Sequence, residues 1–165
     1  MRKKFSSLNK KNLWSAILEI VIFAMLLFVD LMVKHLTGQN INNNESIPLI
    51  NGLIALTFTK NTGAAFSLLS NSFYFLLIVR LIMSIAMLFV LVFYHKKLSM
   101  LLRISMCLIM TGAVGNLCDQ IRFGYVRDMF EFLFIRFAIF NVADICIVFG
   151  VIILSFEMIM NNKFG

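Results

Sequence analysis

Four apolar stretches, each close to the length of a membrane-crossing helix, constrain this 165-residue chain more than any other feature. They fall near residues 13–33, 72–94, 100–118 and 140–160. A helix rises about 1.5 Å per residue, so roughly 20 residues cross a hydrocarbon core of about 30 Å. Backbone in lipid must satisfy its own hydrogen bonds, which leaves helices or a closed barrel, and runs this continuous select helices. The one proline, Pro48, lies between the first two stretches and interrupts neither. Composition agrees: only 14% of residues are charged, against roughly 25% in soluble domains. The N-terminal run imitates a secretory signal peptide. No small-x-small site closes it, so it is read as a retained first span of a single membrane-embedded domain covering 1–165.

The net charge of +7 invites a nucleic-acid reading, but the basic residues cluster at the ends of the apolar runs. Arg2, Lys3, Lys4, Lys10, Lys11, Lys96, Lys97, Arg103 and Lys163 lie on one side, against Lys34, Lys60, Arg122, Arg127 and Arg136 on the other. The positive-inside rule then puts both termini in the cytoplasm and the connections 34–71 and 119–139 outside. Glu19 and Arg80 fall within spans, either as a buried pair or as separate polar positions facing the bundle or an interface. No nucleic acid is expected as a partner. The three cysteines form no C-x-x-C pair, and H-E-x-x-H is absent. Neither a disulfide framework, a metal site nor a cofactor is indicated.

The first outer connection opens with a polar NINNNES stretch, read as a flexible turn. Around Ile54 to Thr59 the residues become β-prone, which fits either a few extended strands on the membrane surface or an ordinary amphipathic loop. The second connection is richer in chemistry. Three of the chain's four aspartates, Asp119, Asp128 and Asp144, lie between Gly115 and Asp144. Carboxylates at a membrane edge are costly and by default mark function.

Each of the three also has a structural explanation. Asp144, in F-N-V-A-D, would occupy N3 of the fourth span if Asn141 is the N-cap. Asp128 could pair with Arg127 or Arg122 on the surface. Asp119, with Asn116 three residues before it, could satisfy backbone groups at the end of the third span or hold a nearby Arg. As chemistry, two close carboxylates push one pKa up, so one remains protonated while the other is ionised. Such a pair activates water without a metal. Ser–His chemistry lacks a placed histidine, because His35 and His95 sit on opposite predicted sides. A Ser–Lys dyad drawn from Ser67 or Ser70 and Lys60 has nothing specific behind it.

Taken in order, D-x-x-x-K (Asp30, Lys34), N-T-G-A-A-F (Asn61 to Phe66), G-N-x-x-D (Gly115 to Asp119), V-x-D (Val126 to Asp128) and F-N-x-A-D (Phe140 to Asp144) are distinctive. Around four spans, this series resembles lipoprotein signal peptidase, also called signal peptidase II, over nearly the whole chain. The resemblance implies that Asp128 and Asp144 are the catalytic pair and that Asp119 is supporting. It implies that Asn61, Gly63, Asn116, Asn141 and Ala143 line or brace the site, and that Asp30 and Lys34 form a pair near the membrane surface. The implied fold is an all-α membrane protein of four transmembrane helices, with a small extracytoplasmic β-structure and surface loop. The implied activity is removal of the signal peptide from diacylglyceryl-modified bacterial prolipoproteins just before the lipidated Cys, at the outer face of the cytoplasmic membrane. The enzyme is expected to be a monomer in the bilayer.

Two positions depart from that pattern. The family's Arg after G-N-x-x-D is Gln120 here, with Arg122 two residues on, and the aromatic after the V-x-D aspartate is Met129. Gln retains hydrogen bonding but no charge. A catalytically impaired paralogue, or a small membrane carrier subunit relying on Glu19 and Arg80, is the alternative reading.

Overall fold

In a computed structural model the apolar stretches form four helices, with a small sheet at one end of the bundle. The structure describes residues 2–63 and 73–163, with side chains over 13–63 and 73–160. The helices are α1 (Arg2–Asn40), α2 (Phe73–Tyr94), α3 (Met100–Phe123) and α4 (Val142–Lys163). Each is long and apolar enough to cross a membrane. Strands β1 (Ser46–Ile50), β2 (Ile54–Asn61) and β3 (Val126–Phe132) make an antiparallel sheet in the order β1-β2-β3. The fold is thus the expected one, a membrane helix bundle with a minor β-structure.

Helix α2 ends where its apolar run does, but α1 and α3 continue past theirs. Helix α1 continues past Val33 to Asn40, and α3 carries Asp119 and Gln120 within its last turns before ending at Phe123. Hydropathy marks where lipid ends, whereas a helix continues while its polar residues find partners. Lys34 does so on Asn116 at 3.0 Å, and the Thr37 hydroxyl donates to the Val33 carbonyl at 2.6 Å. Gly124 stops α3 with φ +79, and its N–H donates to the Gln120 carbonyl at 3.0 Å, as a left-handed C-terminal glycine does.

The polar stretch after α1 is a tied turn rather than a loose one. Glu45 Oε2 accepts from the Asn42 backbone and side chain at 3.1 and 2.8 Å, and the Asn44 N–H donates to the Phe58 carbonyl at 2.7 Å.

Helix α3 is central, packing against α1, α2 and α4. Two of its glycines make that possible. A Cβ on Gly112 would overlap the Ala143 carbonyl, and one on Gly115 would lie 2.6 Å from Asp30 Oδ2. Small residues at such crossings let membrane helices approach backbone to backbone. The outer faces carry large exposed apolar side chains, among them Tyr74, Phe75, Val92, Phe93, Phe149 and Phe156, which suits contact with lipid.

Glu19 and Arg80 do not pair. Glu19 is buried toward the other end of the bundle, where Oε1 lies 3.0 Å from Arg103 Nε and Oε2 3.1 Å from His95 Nε2. Arg80 reaches instead toward the end of the bundle that carries the sheet, where it contacts Gln120.

Candidate active site

Backbone pairing brings the two motif aspartates to one place. The Phe130 N–H donates to the Phe140 carbonyl at 2.8 Å, and the Phe140 N–H returns the bond to Phe130 at 3.0 Å. This isolated bridge seats the chain just before α4 against the free edge of β3. The phenyl rings of Phe130, Phe132, Phe137 and Phe140 pack around it, with centroids 5.1 to 6.1 Å apart. The Phe-rich stretch is therefore the apolar wall that holds α4's first turn to the sheet.

The first turn of α4 is a reciprocal cap. The Asp144 N–H donates to Asn141 Oδ1 at 2.9 Å, and the Asn141 N–H donates to Asp144 Oδ2 at 3.1 Å. Both orphan donors are satisfied, and a carboxylate at this position also gains from the helix dipole. Asn141, fully buried, turns its side-chain amide the other way and donates to Asp128 Oδ1 at 2.6 Å. One asparagine thus contacts both carboxylates.

Each carboxylate oxygen receives one N–H. Asp128 Oδ2 accepts from Asn61 Nδ2 at 2.9 Å, and Gly63 fixes that amide by donating to Asn61 Oδ1 at 2.9 Å. Asp144 Oδ1 accepts from Asn116 Nδ2 at 2.8 Å. The Asn116 oxygen in turn accepts from Lys34 Nζ at 3.0 Å and from Asn141 Nδ2 at 3.1 Å. No salt bridge reaches Asp128 or Asp144 among the described residues. The Asp128 carboxyl, 1% exposed, is pushed up from 3.8 to about 7 by burial and then by the charge of Asp144. Hydrogen bonds from Asn61 and Asn141 and the charge of Lys34 oppose that rise without cancelling it. Both amides approach as donors, so a proton on Asp128 must lie on a lone pair they do not use.

The remaining motif residues form the layer behind. Asp30 pairs with Lys34 at 2.8 Å and accepts the Ala143 N–H at 2.8 Å, tying α1 to the first turn of α4. Asp119 grips Arg127, accepting its backbone N–H at 2.9 Å and its Nη2 at 2.7 Å. The cation next to Asp128 in sequence is thereby turned away from it, and the surface pair considered for Asp128 does not form. Arg122 is not at the site. It lies over the Phe123 ring, 5.2 Å from the centroid, in a separate cleft with His35 and Tyr125. Ala64 to Phe66 of the N-T-G-A-A-F motif, Ser67 and Ser70 lie outside the described residues.

A cavity of about 410 Å³ opens in front of the pair, within the usual range for ligand pockets. Asn61, Gly63, Asn116, Asp128 and Asp144 line its polar end, and Phe132, Phe137, Phe140, Val148 and Phe149 its apolar end. Arg80 also lines it, a residue that sequence reading could not place. The available signal was an arginine in an apolar run with no acidic residue three or four positions away. No cluster of three or more His, Cys, Asp or Glu able to hold a metal occurs among the described residues. The arrangement puts two carboxylates that share one asparagine at the polar end of a cavity whose other end suits apolar chains.

Comparison with known proteins supplies an independent line. A family model described as signal peptidase (SPase) II matches residues 22–160. A lipoprotein signal peptidase of Enterococcus faecalis is 38% identical over 143 residues, covering 87% of this chain and 88% of that protein. One from Streptococcus thermophilus is 43% identical over 134 residues, covering 81% and 87%. A bacterial membrane enzyme solved by the in meso method at 2.3 Å superposes with a TM-score of 0.81 at 25% identity, covering 87% of this chain and 88% of that one. A second, at 1.9 Å, gives 0.76 at 26% identity, covering 85% and 91%.

Proposed function

Since this chain belongs to the signal peptidase II family, we propose that it cleaves diacylglyceryl-modified prolipoproteins just before the lipidated Cys, using Asp128 and Asp144 together. It is a membrane peptidase of the aspartic class. The observation that carries the mechanism is Asn141, which holds Asp128 through its side chain and Asp144 through its backbone at the polar end of one cavity.

The division of labour follows from environment. Asp144, half-buried at the helix start and held by two N–H donors, is the general base. Asp128, with its carboxyl pushed up to about 7, is the protonated one. Asp144 takes a proton from water as the oxygen attacks the scissile carbonyl carbon, and Asp128 hydrogen-bonds the oxyanion that forms. As the C–N bond breaks, a proton from the pair passes to the leaving amine. Protons are shared between two coupled groups, so the apparent values belong to the pair.

Lipid contact explains the substrate. A signal helix held in the bilayer together with acyl chains places the scissile bond at the membrane surface, and the phenylalanine wall offers those chains an apolar surface. By the distribution of basic residues, both termini are cytoplasmic and the sheet end faces outward. The whole of 1–165 works as one unit, and one copy suffices because a single chain supplies every group named. The test is a matched pair of substrates, a diacylglyceryl-modified prolipoprotein and its unmodified twin, given to purified protein. Cleavage of the lipidated form alone is expected, and none by folded Asp128→Asn or Asp144→Asn. Cleavage of both twins, or full activity in either variant, would sink the reading.

A further inference from the structure

We propose that Arg80, held in place by Gln120, is the positioning cation of the aspartate pair, keeping its ionised member ionised. The inference rests on the catalytic reading of Asp128 and Asp144 given above.

Arg80 lies within the apolar α2, where a guanidinium is expensive and is kept only when something uses its charge. Structural pairing does not account for it, since no salt bridge to Arg80 forms among the described residues and Glu19 is engaged by His95 and Arg103. Its partner is a neutral amide. Arg80 Nη1 donates to Gln120 Oε1, while Gln120 Nε2 donates to the Phe73 carbonyl at 2.9 Å. With the donor end of the amide occupied at the start of α2, its oxygen is the end left to face Arg80. Gln120 is itself buried, so this orientation is fixed by packing as well as by its two bonds.

The charge is thus aimed without being neutralised. Arg80 lines the same cavity as both aspartates. The groups facing it are Asp144 from α4, Asp128 from β3 and neutral Gln120 from α3. Lys34 of α1 stands behind Asn116, outside the cavity and paired with Asp30, although its charge also reaches Asp128. Asp119 is held by Arg127. Arg80 is therefore the cation that shares the cavity with the pair. A nearby cation favours the charged form of a carboxylate, so removing it moves the requirement for an ionised member to higher pH.

The experiment is a pH profile of kcat/KM, measured with a synthetic diacylglyceryl-cysteine peptide for wild type and variants. Arg80→Gln is expected to move the acidic limb up by about one pH unit, costing about tenfold in rate on that limb. Arg80→Lys keeps the charge and leaves the limb within a few tenths of a unit of its wild-type position. Gln120→Glu retains Arg80 but neutralises it, so the limb moves in the same direction as in Arg80→Gln. This second route also covers the case in which Arg80→Gln does not fold. An acidic limb that stays put in Gln120→Glu, and in any folded Arg80→Gln, overturns the proposal whatever happens to the rate. Asp128→Asn and Asp144→Asn are run alongside. If both are inactive, an unmoved limb removes only the role of Arg80; if either is fully active, the pair itself falls, and this proposal with it.

Discussion

Lys34, fully buried on α1, places its ammonium 3.0 Å from the side-chain oxygen of Asn116 on α3. The bond has a consequence at the site, because the other end of the Asn116 amide donates to Asp144. A lysine below the aspartates thus sets the orientation of the amide that addresses one of them.

Replacing Lys34 by Met is expected to cost about 3–5 kcal/mol, because it leaves Asp30 buried beside Gly115 without its 2.8 Å partner. Adding Asp30→Asn to Lys34→Met should recover a large part of that loss. Thermal unfolding in detergent of the two single variants and the double closes the cycle. A double variant no more stable than Lys34→Met would show that the pair is not the source.

Gly115→Ala tests the α3–α4 approach. The new methyl would lie 2.6 Å from Asp30 Oδ2 and 3.2 Å from the Ala143 Cβ. Both neighbours belong to the layer that seats α4's first turn. Overpacking of this kind costs about 1–3 kcal/mol, and the displaced cap should lower kcat more than it changes KM. Gly124→Ala serves as the contrast: with φ +79 and open space around it, it strains the turn but leaves activity alone. Equal kcat losses in the two variants would refute this account.

Asp119→Asn should unfasten β3 from α3. Arg127 would lose the charge-assisted fork that now turns it away from Asp128. The expected loss is about 1–3 kcal/mol of stability, with reduced but measurable cleavage. Complete inactivity in a folded Asp119→Asn protein would mean that Asp119 does more than brace.

Stability should also report Asp128 directly. Its folded-state value, about 7, lies above the ordinary 3.8. Between these the folded protein keeps a proton that the unfolded chain has released. The contribution is therefore most favourable below about pH 4 and is lost as pH rises toward 7, with an upper bound of about 4 kcal/mol. Asp128→Asn does not titrate, so wild type should lose stability relative to it between pH 4.5 and 8. Parallel melting curves across that range would contradict the raised value.

Much of the architecture was legible because hydropathy is written locally. The apolar runs marked the helices, the β-prone residues around Ile54 marked β2, and the spacing of Asn141 and Asp144 announced their mutual cap. Helix ends were less legible: Lys34 looks like the start of a loop until Asn116 is seen beside it. The surface pair imagined for Asp128 failed for a related reason. Arg127 is adjacent in sequence, but Asp119 at the end of α3 captures both its backbone N–H and its guanidinium.

By itself, then, the sequence determined a four-span membrane chain with its acidic motifs at one end of the bundle and in family order, because span length and motif spacing are read along the chain. Only tertiary structure decided what each carboxylate experiences. Asp128 and Asp144 meet through the Phe130–Phe140 bridge and Asn141, Lys34 supports them through Asn116, and Arg80 crosses from α2 into their cavity. Proton affinity depends on burial and on charges a few ångströms away, and those neighbours come from residues far apart in the chain.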